Sequence, residues 1–249
     1  MFIHEKFVFL ALSKTGCTYT QRVLDRLLTG IRTDGRHLRM NEAVNIYKID
    51  VSNRLKVGNV RNPWDWYVSL WGYGCMGKGS LYRHLLQQHP DKPIQSFYAD
   101  VNDPELFQQW LKVLLLDDSI KTTIGDSGSQ LPILKTAGLY SYRYLKQYSC
   151  VSRRKIATLT SPAQIKAFDA SENVVDLFIK TEDIDQGIAW LLNWLEVTPE
   201  TLEKYQRIRE TVNKNNSDRT NYQFYYDDFS RDLVGDREQL IIEKHNYRF

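Results

Sequence analysis

The segment Phe7–Thr18, FVFLALSKTGCT, constrains this chain more than any other. Its apolar run, Phe7–Leu12, is comfortable only as a buried strand, and it breaks at once into Ser13, Lys14, Thr15 and Gly16. Val23, Leu24, Leu27 and Leu28 then recur at helical spacing, and Gly30 stands where a glycine would end that helix. A strand that turns tightly into a helix aims several backbone N–H groups and the positive end of the helix dipole at one spot. A lysine and two threonine hydroxyls make that spot a candidate cradle for a phosphate-like anion.

A second turn of the same kind is written into Leu55–Asp65. Leu55–Val60 reads as a short strand, Asn62 as a helix N-cap, Pro63 as the first helical residue, and Asp65 as an acid placed well against the helix dipole. Arg61 lies at the strand's end, and Ser69 follows eight residues later, about two turns into the helix. Both could reach an anion lying across the strand ends. A third strand is expected over Val174–Ile179, followed by Thr181-Glu182-Asp183 and a helix through Ile188, Leu191, Leu192 and Leu195. Strands alternating with helices predict an α/β chain with a parallel sheet covered by helices.

Other stretches are less specified. Asn41 is a candidate cap for a short helix through Ala43, Val44 and Tyr47, and Pro104 opens a helix with Leu106, Phe107, Trp110, Leu111 and Leu114 on one face. Tyr140, Tyr144 and Tyr148 share a helical face and read as core. An irregular insertion is expected at about 72–138, within one domain over 1–249.

Bulk properties narrow the function classes. A net charge of +3 permits an anionic ligand but does not announce nucleic acid, for which a concentrated basic stripe is expected. Three distant cysteines, Cys17, Cys75 and Cys150, offer neither a disulfide framework nor a CxxC metal site. The opening apolar run is too short for a membrane span, and a cytoplasmic protein without a transmembrane segment is expected.

The turn does not match the nucleoside-triphosphate pattern G-x-x-x-x-G-K-[ST], because Lys14 precedes Gly16 and there is no leading glycine. A P-loop-like kinase acting on a small molecule therefore stands as the alternative enzyme reading, and a non-catalytic nucleotide-binding module as the other. Three separated pieces resemble PAPS-dependent sulfotransferases (PAPS, 3′-phosphoadenosine 5′-phosphosulfate), in particular the carbohydrate-type branch. Lys14-Thr15-Gly16-Cys17-Thr18 is similar to their 5′-phosphosulfate loop, KTGST or KTGTT, and Arg61–Ser69 to their R-N-P-x-D-x-x-x-S motif for the 3′-phosphate. Asn213–Ser217, Tyr225-Tyr226-Asp227 and the final Asn246–Phe249 resemble that branch's C-terminal pattern.

The resemblance implies a three-layer P-loop-like fold with a central mainly parallel sheet flanked by helices. It also implies sulfuryl transfer from PAPS, without a metal, to a hydroxyl or amine of a carbohydrate or small-molecule acceptor, leaving PAP. In that family's terms Lys14 neutralises the leaving oxygen while Lys14, Thr15, Gly16, Cys17 and Thr18 hold the phosphosulfate. Arg61 and Ser69 grip the ribose phosphate, and Lys214 and Arg219 are further candidate donor contacts. His37 is the candidate general base, Glu42 the fallback, and His84 and His89 lesser candidates over the acceptor. Cys17 departs from the usual serine or threonine, and a cysteine at a helix N-terminus is either a passive thiol or an acidified one.

Overall fold

The computed structural model describes residues 1–35, 37–124, 131–211 and 220–249. The chain forms two compact units, one holding Met1–Arg61, Arg143–Val151 and Asp169–Asn216, the other the remainder.

The first unit begins with β1 (Phe2–Ile3), β2 (Phe7–Leu10), α1 (Cys17–Leu27), β3 (Ile31–Arg32), α2 (Met40–Tyr47) and β4 (Leu55–Val60). The chain then enters the second unit for α3 (Pro63–Cys75), α4 (Ser80–Gln88), α5 (Pro104–Leu116) and α6 (Asp118–Ile124). Helix α7 (Leu139–Tyr148) carries it back, α8 (Arg153–Ala157) belongs to the second unit, and α9 (Pro162–Glu172) returns again. The first unit is completed by β5 (Leu177–Lys180), α10 (Ile184–Trp194) and α11 (Pro199–Thr211), and the second by α12 (Asp228–Arg237) and α13 (Gln239–His245).

The five strands run in the order β3-β1-β2-β4-β5. Strand β1 pairs antiparallel with both β2 and β3, whereas β2–β4 and β4–β5 are parallel. Helix makes up 59% of the described residues. The expected three-layer, P-loop-like fold with a mainly parallel sheet is therefore corrected: the chain is mostly helical, with a small, open, mixed sheet. Two physical reasons account for the difference. The two-residue strands β1 and β3 are too short to show a period-two pattern, and β1 is turned back on β2 by a tight bend in which His4 N–H donates to Phe7 O at 2.9 Å. The long excursion between β4 and β5 is spent on helices, including α6 in a stretch whose Gly, Ser and Thr content reads as loop.

The core of the first unit gathers Phe7, Phe9, Val23, Leu24, Val57, Ile179, Ile188, Leu191 and Leu192. Tyr148, at the end of α7, seats its ring against Gly58, where an added Cβ would lie 2.9 Å from Tyr148 Cε1. Its hydroxyl donates to Asn59 O at 2.5 Å and accepts from Asn59 N–H at 3.0 Å. The second unit is built on aromatics. Trp66 stacks on Tyr140 with centroids 4.5 Å apart, and Trp71 meets Phe107 and Tyr225 edge-on. No helix among the described residues is long and apolar enough to cross a membrane.

A buried carboxyl in the second unit links its stability to pH. Glu238 is fully buried and gathers four donors: Tyr67 Oη at 2.5 Å, Tyr140 N at 3.2 Å, and Ser141 N and Oγ at 2.8 and 2.6 Å. Burial pushes its carboxyl from the ordinary 4.5 up to about 7, against the pull of those hydrogen bonds. The folded state then holds a proton that the unfolded chain releases as pH rises above 4.5, so this group's stabilising contribution is full below that pH and lost as pH climbs to about 7. The loss is on the order of 3 kcal/mol. Urea unfolding at a series of pH values checks this. Glu238→Gln flattens that part of the stability profile, whatever it does to the absolute value.

Candidate functional site

The site is set by the ends of the parallel strands. Register pairs Leu10 of β2 with Gly58 of β4, and Val60 of β4 with Lys180 of β5. The segments that leave these strands, Ala11–Gly16, Arg61 and Thr181–Asp183, consequently emerge at one edge of the sheet. In open sheets with parallel strands this carboxyl edge is where ligands bind.

The loop after β2 has an unusual backbone. Lys14 and Gly16 both adopt left-handed conformations, with φ of 66° and 73°. Thr15, fully buried between them, donates its hydroxyl to Leu12 O at 2.7 Å, so its side chain braces the turn from inside. Gly16 is the N-cap of α1. A Cβ there would combine the positive φ with a 2.7 Å approach to Ile184 Cδ1, and Thr181 Cγ2 lies at 3.5 Å. No side chain caps α1 and no acid occupies its first turn. Helix geometry leaves the N–H groups of Cys17, Thr18 and Tyr19 outside the intrahelical ladder, at the positive end of the dipole. The Thr20 N–H begins the ladder, donating to Gly16 O at 3.1 Å.

Cys17 belongs to the core of the first unit, and burial pushes its thiol above its ordinary value. Desolvation outweighs the chain's N-terminal ammonium, the hydrogen bonds from Thr18 and the charge of Lys14, which all pull the other way, and this direction favours the passive thiol over the acidified one.

Arg61 comes to the loop from β4. Its Nη1 donates to Lys14 O at 3.1 Å. His37 comes from the segment before α2, and its Nδ1 lies 2.9 Å from Ala11 O, at the root of the same loop. A carbonyl oxygen only accepts, so Nδ1 carries the proton and the lone pair of the neutral ring falls on Nε2. The segment is tied down further on: Leu38 O accepts from Gln147 Nε2 at 2.8 Å, and buried Arg39 donates through Nη2 to Ser149 O at 2.9 Å and to Val151 O. Glu42 accepts from Arg39 N–H at 2.9 Å, closing the first turn of α2. Helix α2 thus begins one residue before Asn41, the expected cap.

The expected second turn forms as local chemistry dictates, with Asn62 Oδ1 accepting from Trp64 N–H at 3.0 Å and Pro63 opening α3. Ser69 is half-buried on α3, and His84 and His89 lie on or just after α4, all in the second unit. Burial lowers the His89 pKa. Lys214, Arg219 and the Asn213–Ser217 stretch lie outside the described residues, as does Arg36. Within the first unit, then, the structure brings together the Lys14 loop, Arg61 and His37.

Three supporting groups are not among the expected site residues: the Ala11 carbonyl, Thr181 and Asn59. Thr181 donates to Val60 O through both N–H and Oγ1, at 2.8 and 3.0 Å, and fixes the third strand end beside Gly16. Asn59 is fully buried on β4; its Nδ2 reaches Thr20 Oγ1 at 3.4 Å, and its Oδ1 has no hydrogen-bond partner among the described residues. A polar residue inside the LKVGNV strand was the available signal for Asn59. Compared with known proteins, the chain matches no protein-family profile, no curated protein and no solved structure.

The donor set fits a dianionic group: a lysine and an arginine at one loop, backbone N–H groups at an uncapped helix start, and the Thr18 hydroxyl in the first helical turn. Because the loop's shape depends on Gly16, Gly16→Ala lowers the unfolding free energy by about 2 kcal/mol, combining left-handed strain with the Ile184 contact. Urea denaturation measures that loss, and Thr18→Ala, on the half-buried outer face, changes it far less.

Proposed function

We propose that this chain is a PAPS-dependent sulfotransferase that moves a sulfuryl group to a hydroxyl or amine of a carbohydrate or small-molecule acceptor. The observation that carries the reading is the convergence of Arg61 on the Lys14 loop, Nη1 to Lys14 O at 3.1 Å. The two motifs that resemble the donor-binding elements of that family are 47 residues apart in sequence and meet at one strand edge.

In this reading the N–H groups of the Gly16–Thr18 turn hold the 5′-phosphosulfate. Lys14 stabilises charge on the bridging oxygen as the sulfur–oxygen bond breaks, an interaction stronger in the transition state than before it. Arg61 engages the ribose 3′-phosphate, which separates PAPS from ATP. Ser69, Lys214 and Arg219 are proposed as further donor contacts on the resemblance alone. The acceptor's oxygen or nitrogen attacks sulfur, its proton passes to His37 Nε2, and PAP departs. The Ala11 carbonyl supports His37 by fixing the tautomer with the basic nitrogen on Nε2. Glu42, committed to the start of α2, is the weaker base candidate.

Thermal unfolding in the presence of PAP, ADP and ATP tests the assignment. PAP raises the melting temperature by several degrees, ADP and ATP with magnesium do so less, and Lys14→Ala or Arg61→Ala each removes most of the PAP effect. His37→Ala leaves the PAP shift intact, since its proposed task begins only with the acceptor. Stabilisation by ATP with magnesium but not by PAP would instead identify a kinase.

A further inference from the structure

Four residues other than glycine have a positive φ among the described residues: Lys14, Lys48, Glu196 and Asn246. Three of them are explained by their place in a helix. Lys48 and Asn246 are the C-caps of α2 and α13, and Glu196 follows the C-cap of α10, positions where a left-handed residue routinely ends a helix. Lys14 stands three residues before a helix begins, where no such rule applies. Something else must hold it left-handed, since the conformation is unfavourable for an L-residue with a side chain.

The neighbours are fixed from within the loop, Thr15 through Leu12 O and Gly16 through its packing on Ile184 and Thr181. The Lys14 peptide is held from outside it, by the Arg61 guanidinium. Rotating Lys14 back to a right-handed conformation swings its carbonyl away and breaks that charge-assisted bond. We infer that Arg61 is a positioning residue for Lys14 as well as an anion ligand: its hydrogen bond to the Lys14 carbonyl keeps the loop lysine in its left-handed conformation, so the residue that engages the anion also sets the lysine. This rests on the donor-binding role proposed above for the same two residues. It makes recognition of the ribose phosphate and placement of the leaving-group cation a coupled event rather than two independent contacts.

A double-mutant cycle on PAP binding tests the coupling in the full chain. If Arg61 acts partly through Lys14, the Arg61→Ala/Lys14→Ala variant loses at least tenfold less affinity than the product of the two single losses. Losses that simply multiply overturn the inference. A second measurement needs no nucleotide: the HN–Hα coupling and carbon shifts of Lys14 report its φ by NMR in the ligand-free protein. They move in Arg61→Ala and in Arg61→Lys, because an ammonium does not reproduce the guanidinium's geometry, while signals from β2 and β4 stay in place. An unchanged Lys14 in Arg61→Ala overturns the lock. A wild type that ignores PAP but whose Lys14 moves in Arg61→Ala supports the lock and overturns the nucleotide reading alone.

Discussion

The parallel pairing of β2 with β4 is the constraint on which the site depends. It runs from Phe7 opposite Leu55 to Leu10 opposite Gly58, and it is anchored by buried Phe7, Phe9 and Val57 on a shared face. Parallel neighbours must send their connections out at the same end, so this register alone brings Ala11–Gly16 beside Arg61. A slip of one residue would turn the face of β4 that carries Val57 and Asn59 away from α1 and move Arg61 off the loop. Strand β5 extends the logic by one position and delivers Thr181 to the flank of Gly16. The antiparallel strands β1 and β3 complete the other side of the sheet without contributing to this edge.

What was legible in the sequence is what local chemistry determines. The run Phe7–Leu12 needed only its apolarity to be read as a strand, and the start of α3 needed only Asn62, Pro63 and Asp65 at the N-cap, first and third helical positions. The α3 start appears as read, and the strand stops at Leu10, two residues short of its apolar run. The third strand is shorter than its apolar run, because Val174 and Val175 have other appointments: Val174 N–H donates to Tyr148 O, and Val175 N–H to Asn173 Oδ1. Asp176 then bridges to Lys56, and regular pairing starts only at Leu177. Nothing within Val174–Ile179 announces the remote acceptor on Tyr148 or the Asn173 side chain that turns back to Val175. The same holds for β1 and β3, which exist only because a neighbour offers them an edge, and for the helices that take up the polar excursion.

The candidate site divides in the same way. Its residue types and spacing could be read directly, since a lysine and a glycine at a strand-to-helix turn make their own case. Their partners could not. That His37 leans on Ala11 O, or that Thr15 spends its hydroxyl on Leu12 O, follows from how the chain folds over itself across up to 26 residues. Glu42 shows the opposite hazard: an acid in a suggestive sequence position is satisfied by the first turn of its own helix.

Cys17 is where structure changes the meaning of the sequence most. Against a loop pattern that favours serine or threonine, a thiol looks like the loss of a hydroxyl from the anion site. Yet its side chain packs into the core with Val23, Leu24 and Ile184, and burial holds it protonated. A hydroxyl in its place would enter the same core and depend on Thr18, which already hydrogen-bonds the thiol, for its partner. What Cys17 can offer an anion is its backbone N–H, which is independent of the side chain. The departure from the pattern therefore falls on packing beneath the loop, and it leaves Lys14 and Arg61, the two charged residues proposed to meet the anion, in place.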